Sequence, residues 1–466
     1  MSTPAQTPGA LTRTPVRTSH GKVTLVLYMR PTPCGGDCLF CFSVNGVTKS
    51  TTANEDTLLA ASCDWSPAGQ LEARFNAYGL TRGTGLKCDL AVKGDSFCRH
   101  DDQYLREYFK SAYDFLNGCA SESLEEAIAL QVDSPDRCVS VKVETRPDHV
   151  TDEACRLMIE LGVTTVELGV QSLDDALLGR INRGHGVATV TRATALLRAY
   201  GFEVGYQVMV GLPGGSYEGD RKLLSESLWR PEHSPDALKI YPCLMLDARV
   251  ASQPGLARAL REGWWRPMTS ERYARLLAEC YPVMPRWVHI NGIQRIMASA
   301  DIAEGPREPI DRRSFADISQ CLWQRSVARS SWSLDADFSG YSLLTTGQGP
   351  ASYCVEALMR DNTVIGYGRL SVSGGTGVIR DLRVLGEMRR VAEGSHGRLG
   401  CQHVGVGTAM LAEMDRTASA VGATHLAAHV SPGARQWLAS RGFAPDGPNW
   451  LRRPVSPSLA GASGLV

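Results

Sequence analysis

The sequence predicts an α/β protein in two parts, a large domain built on a helix-covered parallel sheet and a smaller α/β domain after it. Three observations predict this. From Lys22 to about Gly305, short continuous apolar runs alternate with helical patterns, as expected of strands buried on both faces. From about Ala336 the pattern changes to a hairpin, a strand, a Gly-rich turn, a helix and another strand. Hydrophobic residues are 43% and charged residues 21% of the 466, an ordinary balance for a chain with a buried core.

The elements follow in order. Residues 1–21 are rich in Thr, Pro and Ser and read as a flexible arm. Val23–Leu27, Leu90–Val92, Val139–Val143, Thr165–Val170, Val204–Val210, Leu238–Tyr241 and Trp287–Ile290 read as strands, with helices such as Asp152–Leu161, Thr189–Ala199 and Glu271–Cys280 between them. Residues 22–305 therefore make a parallel sheet, closed as a barrel or open. Residues 306–335 are charged, contain Pro306 and Pro309 and read as a linker. In 336–453, Ser352–Leu358 and Val364–Ser371 form a hairpin over Arg360–Thr363. A strand at Val378–Val384, a helix from about Gly405 to Val421, a strand at His425–Val430 and a short helix near Ala434–Ser440 follow. Residues 454–466 read as a disordered tail.

Composition excludes some functions. No stretch approaches the roughly 18 apolar residues a membrane helix needs. Lys+Arg and Asp+Glu are 49 each, so the whole chain is not a strongly basic nucleic-acid binder, although a local basic patch can hide in a neutral total. The first residues carry no secretion-signal pattern, so a cytoplasmic, reducing location is expected. There, clustered members of the 14 cysteines point to metal or catalysis rather than disulfides.

Cys34, Cys38 and Cys41 form C-x3-C-x2-C just after the first strand. Three thiolates on one loop can hold three irons of a cubane cluster, and Gly35 and Gly36 let the loop wrap tightly. The alternatives are three unrelated thiols, or a zinc site, which wants a fourth ligand and has none obvious nearby. The spacing resembles the signature of radical S-adenosylmethionine (SAM) enzymes. That resemblance implies a 4Fe-4S cluster whose open iron binds SAM for cleavage to a 5′-deoxyadenosyl radical.

In the second domain, Gln402-His403-Val404-Gly405-Val406-Gly407-Thr408 opens the long helix. Bare backbone N–H groups at a helix start suit a pyrophosphate, while a lone G-x-G also occurs as a tight turn. Antiparallel strands, then Q-x-x-G-x-G, a helix and a strand resemble the acetyl-CoA-binding GNAT fold.

A radical SAM partial (β/α) barrel followed by a GNAT-like domain resembles the Elongator catalytic-subunit family. The stretches that carry the resemblance are Cys34–Cys41, Glu144–Asp148, Glu167–Ser172, Asn182–His185, Lys239–Pro242, Ile379–Leu382, Gln402–Gly407, Gly442-Phe443 and Gly447-Pro448. It implies three cofactors, a 4Fe-4S cluster, SAM and acetyl-CoA. The implied reaction puts a carboxymethyl group on carbon 5 of the wobble uridine of tRNA, with a flavodoxin- or ferredoxin-like electron donor. In its terms Cys34, Cys38 and Cys41 are metal ligands. Glu144, Arg146 and Gly94 contact SAM, and Gln402, Gly405, Gly407 and Thr408 contact acetyl-CoA. Lys239, Tyr241 and Gln171 are catalytic candidates. Lys239 and Tyr241 alternate on one strand and share a face. Glu144 and Arg146 can equally form a strand-end ion pair, Gln171 can cap a helix, and Asn182, Arg183 and His185 can be a plain polar turn. Trp264 and Trp265 either stack on bases or pack in the core.

The chain departs from the family in five respects, one being its neutral total charge where tRNA phosphates reward a basic face. Asp95 stands where the family has the second Gly of a turn, and Trp437-Leu438 where it has two tyrosines. The linker holds one cysteine, Cys321. The family's longer basic N-terminal segment is missing, which leaves Arg13, Arg17, Lys22 and Arg30 as the expected tRNA footprint. Three functions therefore compete: the tRNA reaction, the same chemistry on a small molecule, and a plain N-acetyltransferase with a structural iron–sulfur domain.

Overall fold

The computed structural model describes residues 18, 20–41, 43–44, 47–48, 55–248, 252–294, 299–332, 336–349, 351–391 and 400–456. Seven apolar runs become one parallel sheet: β1 (Val23–Tyr28), β2 (Lys87–Lys93), β3 (Arg137–Thr145), β4 (Thr165–Gln171), β5 (Glu203–Val210), β6 (Ala237–Pro242) and β7 (His289–Gly292). They lie in chain order and every neighbouring pair is parallel. Helices return the chain between strands on one side and curl the sheet into a partial barrel.

The strands are not apolar on both faces, as their composition led one to expect. On β4, Val166, Leu168 and Val170 are fully buried beneath the helices. Thr165, Glu167, Gly169 and Gln171 point the other way and line cavities inside the curl. The same alternation places Lys142, Glu144, Glu203, Gln207, Lys239 and Tyr241 on the inner side. The helices supply the matching apolar stripes. α1 (Asp102–Asn117) buries Leu105, Tyr108, Phe109, Ala112, Tyr113 and Leu116, at spacings of three and four. Asp101 caps its first turn by accepting from the N–H groups of Gln103 and Tyr104, and Gly118 ends it at φ 76°. α2 (Asp152–Glu160), α3 (Val187–Ala199) and α4 (Ser270–Cys280) cover the sheet in the same way.

The second sheet contains β8 (Ser342–Gly349), β9 (Ser352–Leu358), β10 (Val364–Ser373), β11 (Thr376–Val384), β12 (His425–His429), β13 (Ala444–Pro445) and β14 (Trp450–Pro454), in the order β8-β9-β10-β11-β12-β14-β13. β11 and β12 are parallel and pair only from Thr376 to Ile379, so they splay beyond Ile379. α5 (Val406–Ala420) packs on this sheet through Met410, Leu411 and Met414. The segment between the sheets is well packed. Phe315 stacks on Tyr281 with ring centres 4.7 Å apart, and the Trp323 ring lies between the guanidiniums of Arg312 and Arg329 at 3.4 and 3.6 Å.

The second sheet docks on the N-terminal ends of the barrel strands. Asp236, just before β6, is fully buried and accepts from both terminal nitrogens of Arg380 on β11, while Arg369 on β10 lies 3.5 Å away. Arg369 also donates to the Asp236 and Trp287 carbonyls at 2.8 and 3.0 Å. Glu203, at the start of β5, accepts from Arg383. Burial opposes ionisation of Asp236, but Arg380 and Arg369 outweigh it and hold the carboxyl below the usual carboxylate range. A depressed folded value contributes stability above the unfolded value near 4, lost as pH falls through the folded one. Asp236→Ala leaves buried guanidiniums uncompensated and should cost about 3–5 kcal/mol. Thermal unfolding at neutral pH checks this; an unchanged midpoint would contradict the role given to Asp236.

Candidate functional site

Cys34, Cys38 and Cys41 lie on the loop after β1, each partly exposed. With Gly94, Glu144, Arg146, Glu167, Gln171 and Tyr241 they line a cavity of about 170 Å³ at the C-terminal mouth of the barrel. Among the described residues the thiols do not converge on a ready-made three-ligand cage. The donor chemistry nevertheless fits a thiolate-bound cluster, because two guanidiniums stand against the loop. Arg183 donates to Cys38 Sγ at 3.3 Å and Arg146 at 3.8 Å. Arg146 is fixed by Asp148, at 3.0 and 2.9 Å, and by the Arg183 carbonyl at 2.8 Å. A Cβ on Gly36 would lie 2.4 Å from Arg146 Nη1, so a side chain there would push the guanidinium from its place against the loop. Arg183, read from sequence as part of a polar turn, is thus a buried partner of the loop. Asn182 holds the same loop from outside by donating to the Asp37 carbonyl at 2.9 Å.

The inner wall below is ionic. Lys239 Nζ donates to Glu144 Oε1 at 2.9 Å and to Glu167 Oε2. Lys142 lies 3.5 Å from Glu167 Oε1, and Asn291 donates to that oxygen at 3.3 Å. Burial alone would lower the Lys239 pKa, but Glu144 and Glu167 raise it well above the ordinary value. Lys239 is therefore a fixed ammonium, unsuited to take a proton. Tyr241, two residues on, lines the cavity. Gln171 ends β4 at φ 69°, and its buried Oε1 has no hydrogen-bond partner. Gly94 also lines the cavity, where a Cβ would meet Met29 Cε at 2.9 Å.

A larger cavity, about 910 Å³, opens between the two sheets. Gln402, Gly405, Gly407 and Thr408 line it from the second domain, and Lys22, Ser140, Thr165 and Glu203 from the barrel. Gly405 sits at φ 93° just before α5, so its conformation favours glycine. Arg441 donates to Thr408 Oγ1 at 3.1 Å and lies over the Trp437 ring at 4.7 Å, placing a cation beside the helix start. The Gln402 amide is occupied. It accepts from Lys87 and Arg389 and donates to the Gly21 and Val384 carbonyls. Gln402 thus ties the two domains together beside the cavity.

One expectation for the tRNA footprint changes. Lys22, placed in the tRNA footprint for want of a nearby acid, is largely covered; it donates to Asp89 at 2.8 Å and Ser140 at 2.6 Å. Arg13 and Arg17 lie outside the described residues, while Arg30 is exposed over Tyr104. The tryptophan pair divides: Trp265 is core and donates to the Gly211 carbonyl, whereas Trp264 is exposed.

Residues 120–225 match the radical SAM superfamily. Fold and site together define a radical SAM protein joined to a second, mixed-sheet α/β domain. The chain belongs to the tRNA uridine(34) acetyltransferase family, which includes Elongator complex protein 3. It is 30% identical over 449 residues to the tRNA uridine(34) acetyltransferase of Dehalococcoides mccartyi, covering 92% of this chain and 96% of the relative. It is 26% identical over 487 residues to Elongator complex protein 3 of Schizosaccharomyces pombe, covering 94% and 86%. An archaeal Methanocaldococcus infernus Elp3 structure with an N-terminal deletion shares the fold, at TM-score 0.77 and 23% identity over 93% of this chain and 99% of that one.

Replacing Cys34, Cys38 and Cys41 together by Ala should give a colourless protein after anaerobic reconstitution, forming no 5′-deoxyadenosine from SAM. Wild-type product formation in that variant would refute the ligand assignment.

Proposed function

We propose that this chain is a radical SAM enzyme that uses acetyl-CoA to install a carboxymethyl group on carbon 5 of a tRNA wobble uridine. One observation carries the reading: the cysteine loop and the Gly405–Thr408 turn stand at opposite ends of one barrel interior, in a member of this family. Cys34, Cys38 and Cys41 would hold a 4Fe-4S cluster, which with SAM and an electron from a flavodoxin- or ferredoxin-like donor would supply the radical chemistry needed at the acetyl methyl.

The chain's own residues do the rest. Arg146 and Arg183 balance thiolate charge. Glu144 and Gln171 face the bound cofactor from the strand ends, where such barrels collect their functional groups. Lys239 stays protonated and orients Glu144 and Glu167. Tyr241 is the phenol nearest the mouth for the acceptor. On the other side, the N–H groups around Gly405 and Gly407 and the start of α5 receive the pyrophosphate. The splay between β11 and β12 leads the acyl end toward Thr165 and Glu203. Burial of Lys22 in an ion pair favours a second reading, in which the same chemistry acts on a small molecule.

Gly405→Asp puts a carboxylate and a strained backbone where phosphate sits, so acetyl-CoA affinity should fall about tenfold or more, 1.4 kcal/mol per tenfold. Unchanged calorimetric binding would count against the site. To decide the acceptor, reconstituted protein is incubated anaerobically with SAM, dithionite, acetyl-CoA and bulk tRNA, and nucleosides are analysed by mass spectrometry. A carboxymethyl-uridine product supports the tRNA reading. Its absence while 5′-deoxyadenosine forms moves the assignment to a small acceptor.

A further inference from the structure

One stretch beside the cysteine loop departs from the neutral total. Residues 252–269 hold three arginines, Arg258, Arg261 and Arg266, and a single acid, Glu262. All four are exposed, and Trp264 between them keeps 40% of its surface open. Among the described residues no carboxylate forms an ion pair with any of the three arginines. Glu262 turns instead to Trp264 and accepts its indole N–H at 3.1 Å, which fixes the ring. Arg258 and Arg261, three residues apart on one helix, repel each other slightly, so their grouping does nothing for the stability of that helix.

The fold fastens this stretch to the cysteine loop. The helix Pro254–Arg261 buries Leu256 and Ala259, and the spacing puts Arg258 and Arg261 together on the side away from Leu256. A Cβ on Gly255 would stand 2.9 Å from both Leu39 Cγ and the Leu39 carbonyl oxygen, so helix and loop are in close contact. Gln253, just before the helix, donates to the Phe40 carbonyl at 3.0 Å and accepts the Leu246 N–H at 2.7 Å. Phe40 itself lines the cavity of the three cysteines. At the other end Gly263, at φ 80°, reverses the chain. Trp265 then turns into the core and donates to the Gly211 carbonyl at 2.9 Å, while Trp264 faces outward.

We propose that this rim receives the unpaired loop of the tRNA acceptor: the Trp264 ring stacks on a base, and Arg258, Arg261 and Arg266 meet the phosphates beside it. This inference rests on the function proposed above and adds the surface that holds its acceptor. The chemistry fits a single strand. Phosphates reward free guanidiniums, and an unpaired base offers a face to an aromatic ring, which a paired stem does not. An acidic protein segment would use the arginines and leave the indole without a base. The position fits as well. The rim adjoins the cysteine cavity through Leu39 and Phe40, so a nucleotide held on Trp264 has its neighbour at the cavity mouth.

The test is fluorescence anisotropy in a salt series, with full-length reconstituted protein and two labelled RNAs: an anticodon stem-loop with uridine at the wobble position, and a fully paired duplex of the same length. Trp264→Ala should bind the stem-loop about tenfold less tightly, with the salt slope and the duplex affinity unchanged, because stacking carries no charge and needs an unpaired base. Trp264→Phe should recover most of the loss. Arg258→Gln with Arg261→Gln should weaken stem-loop binding and flatten the slope of log K against log salt by about 0.7 for each arginine removed. Thermal unfolding shows that each variant is folded, and the arginine pair reads the same surface if Trp264→Ala is not. Wild-type affinity for the stem-loop in the Trp264→Ala and arginine variants would overturn the surface while leaving the function standing. A Trp264→Ala loss of equal size on the duplex would overturn the stacking. A wild type without affinity for the stem-loop at low salt would overturn the tRNA reading, and the surface with it.

Discussion

Asp236 is the constraint on which the two-domain arrangement depends. It is one carboxylate without solvent contact, gripped by Arg380, faced by Arg369 and accepting the Val204 N–H at 2.9 Å. A charge so placed is tolerable only while its partners stay. Those partners come from β10 and β11, so the interior of the second sheet and the lower rim of the barrel are fixed together. Glu203 with Arg383 and Lys22 with Asp89 repeat the device around the same rim. Lys22, Glu203, Arg380 and Arg383 from these pairs line the larger cavity, whose walls belong to both domains.

The barrel interior follows from the same choice. Here the inward positions are charged and cross-paired from Lys142 to Glu167 to Lys239 to Glu144, and the paired charges keep the interior polar without leaving any one unbalanced. Arg146 and Arg183 end the column at the cysteine loop. The structure thus carries paired fixed charge along the barrel interior from the larger cavity to the cysteine loop.

Much of this was legible in the sequence, for physical reasons that differ by element. The barrel strands were readable because their outward residues are continuous hydrophobes, and the cysteine loop and Gly405–Thr408 turn because their spacing is local. Polar alternation such as Lys142-x-Glu144-x-Arg146 was present but lost among apolar neighbours. β8 escaped notice because Thr, Gly and Gln dilute its apolar residues, and β14 because two arginines and a proline close it. Lys22 was misread since its acid, Asp89, lies 67 residues away. Gln402 bonds to groups as distant as Gly21, 381 residues back, so no local pattern could reveal it.

The central claim is that one barrel presents its two cofactor sites to each other through its interior. The position of the acyl group tests it most directly, through a crystal structure with SAM and a non-hydrolysable acetyl-CoA analogue. The account predicts the pyrophosphate on the backbone of Gly405–Thr408 and the acyl end against Thr165 and Glu203, pointing into the barrel. A pyrophosphate in that place with the acyl end directed out to solvent, away from the barrel floor, would contradict it.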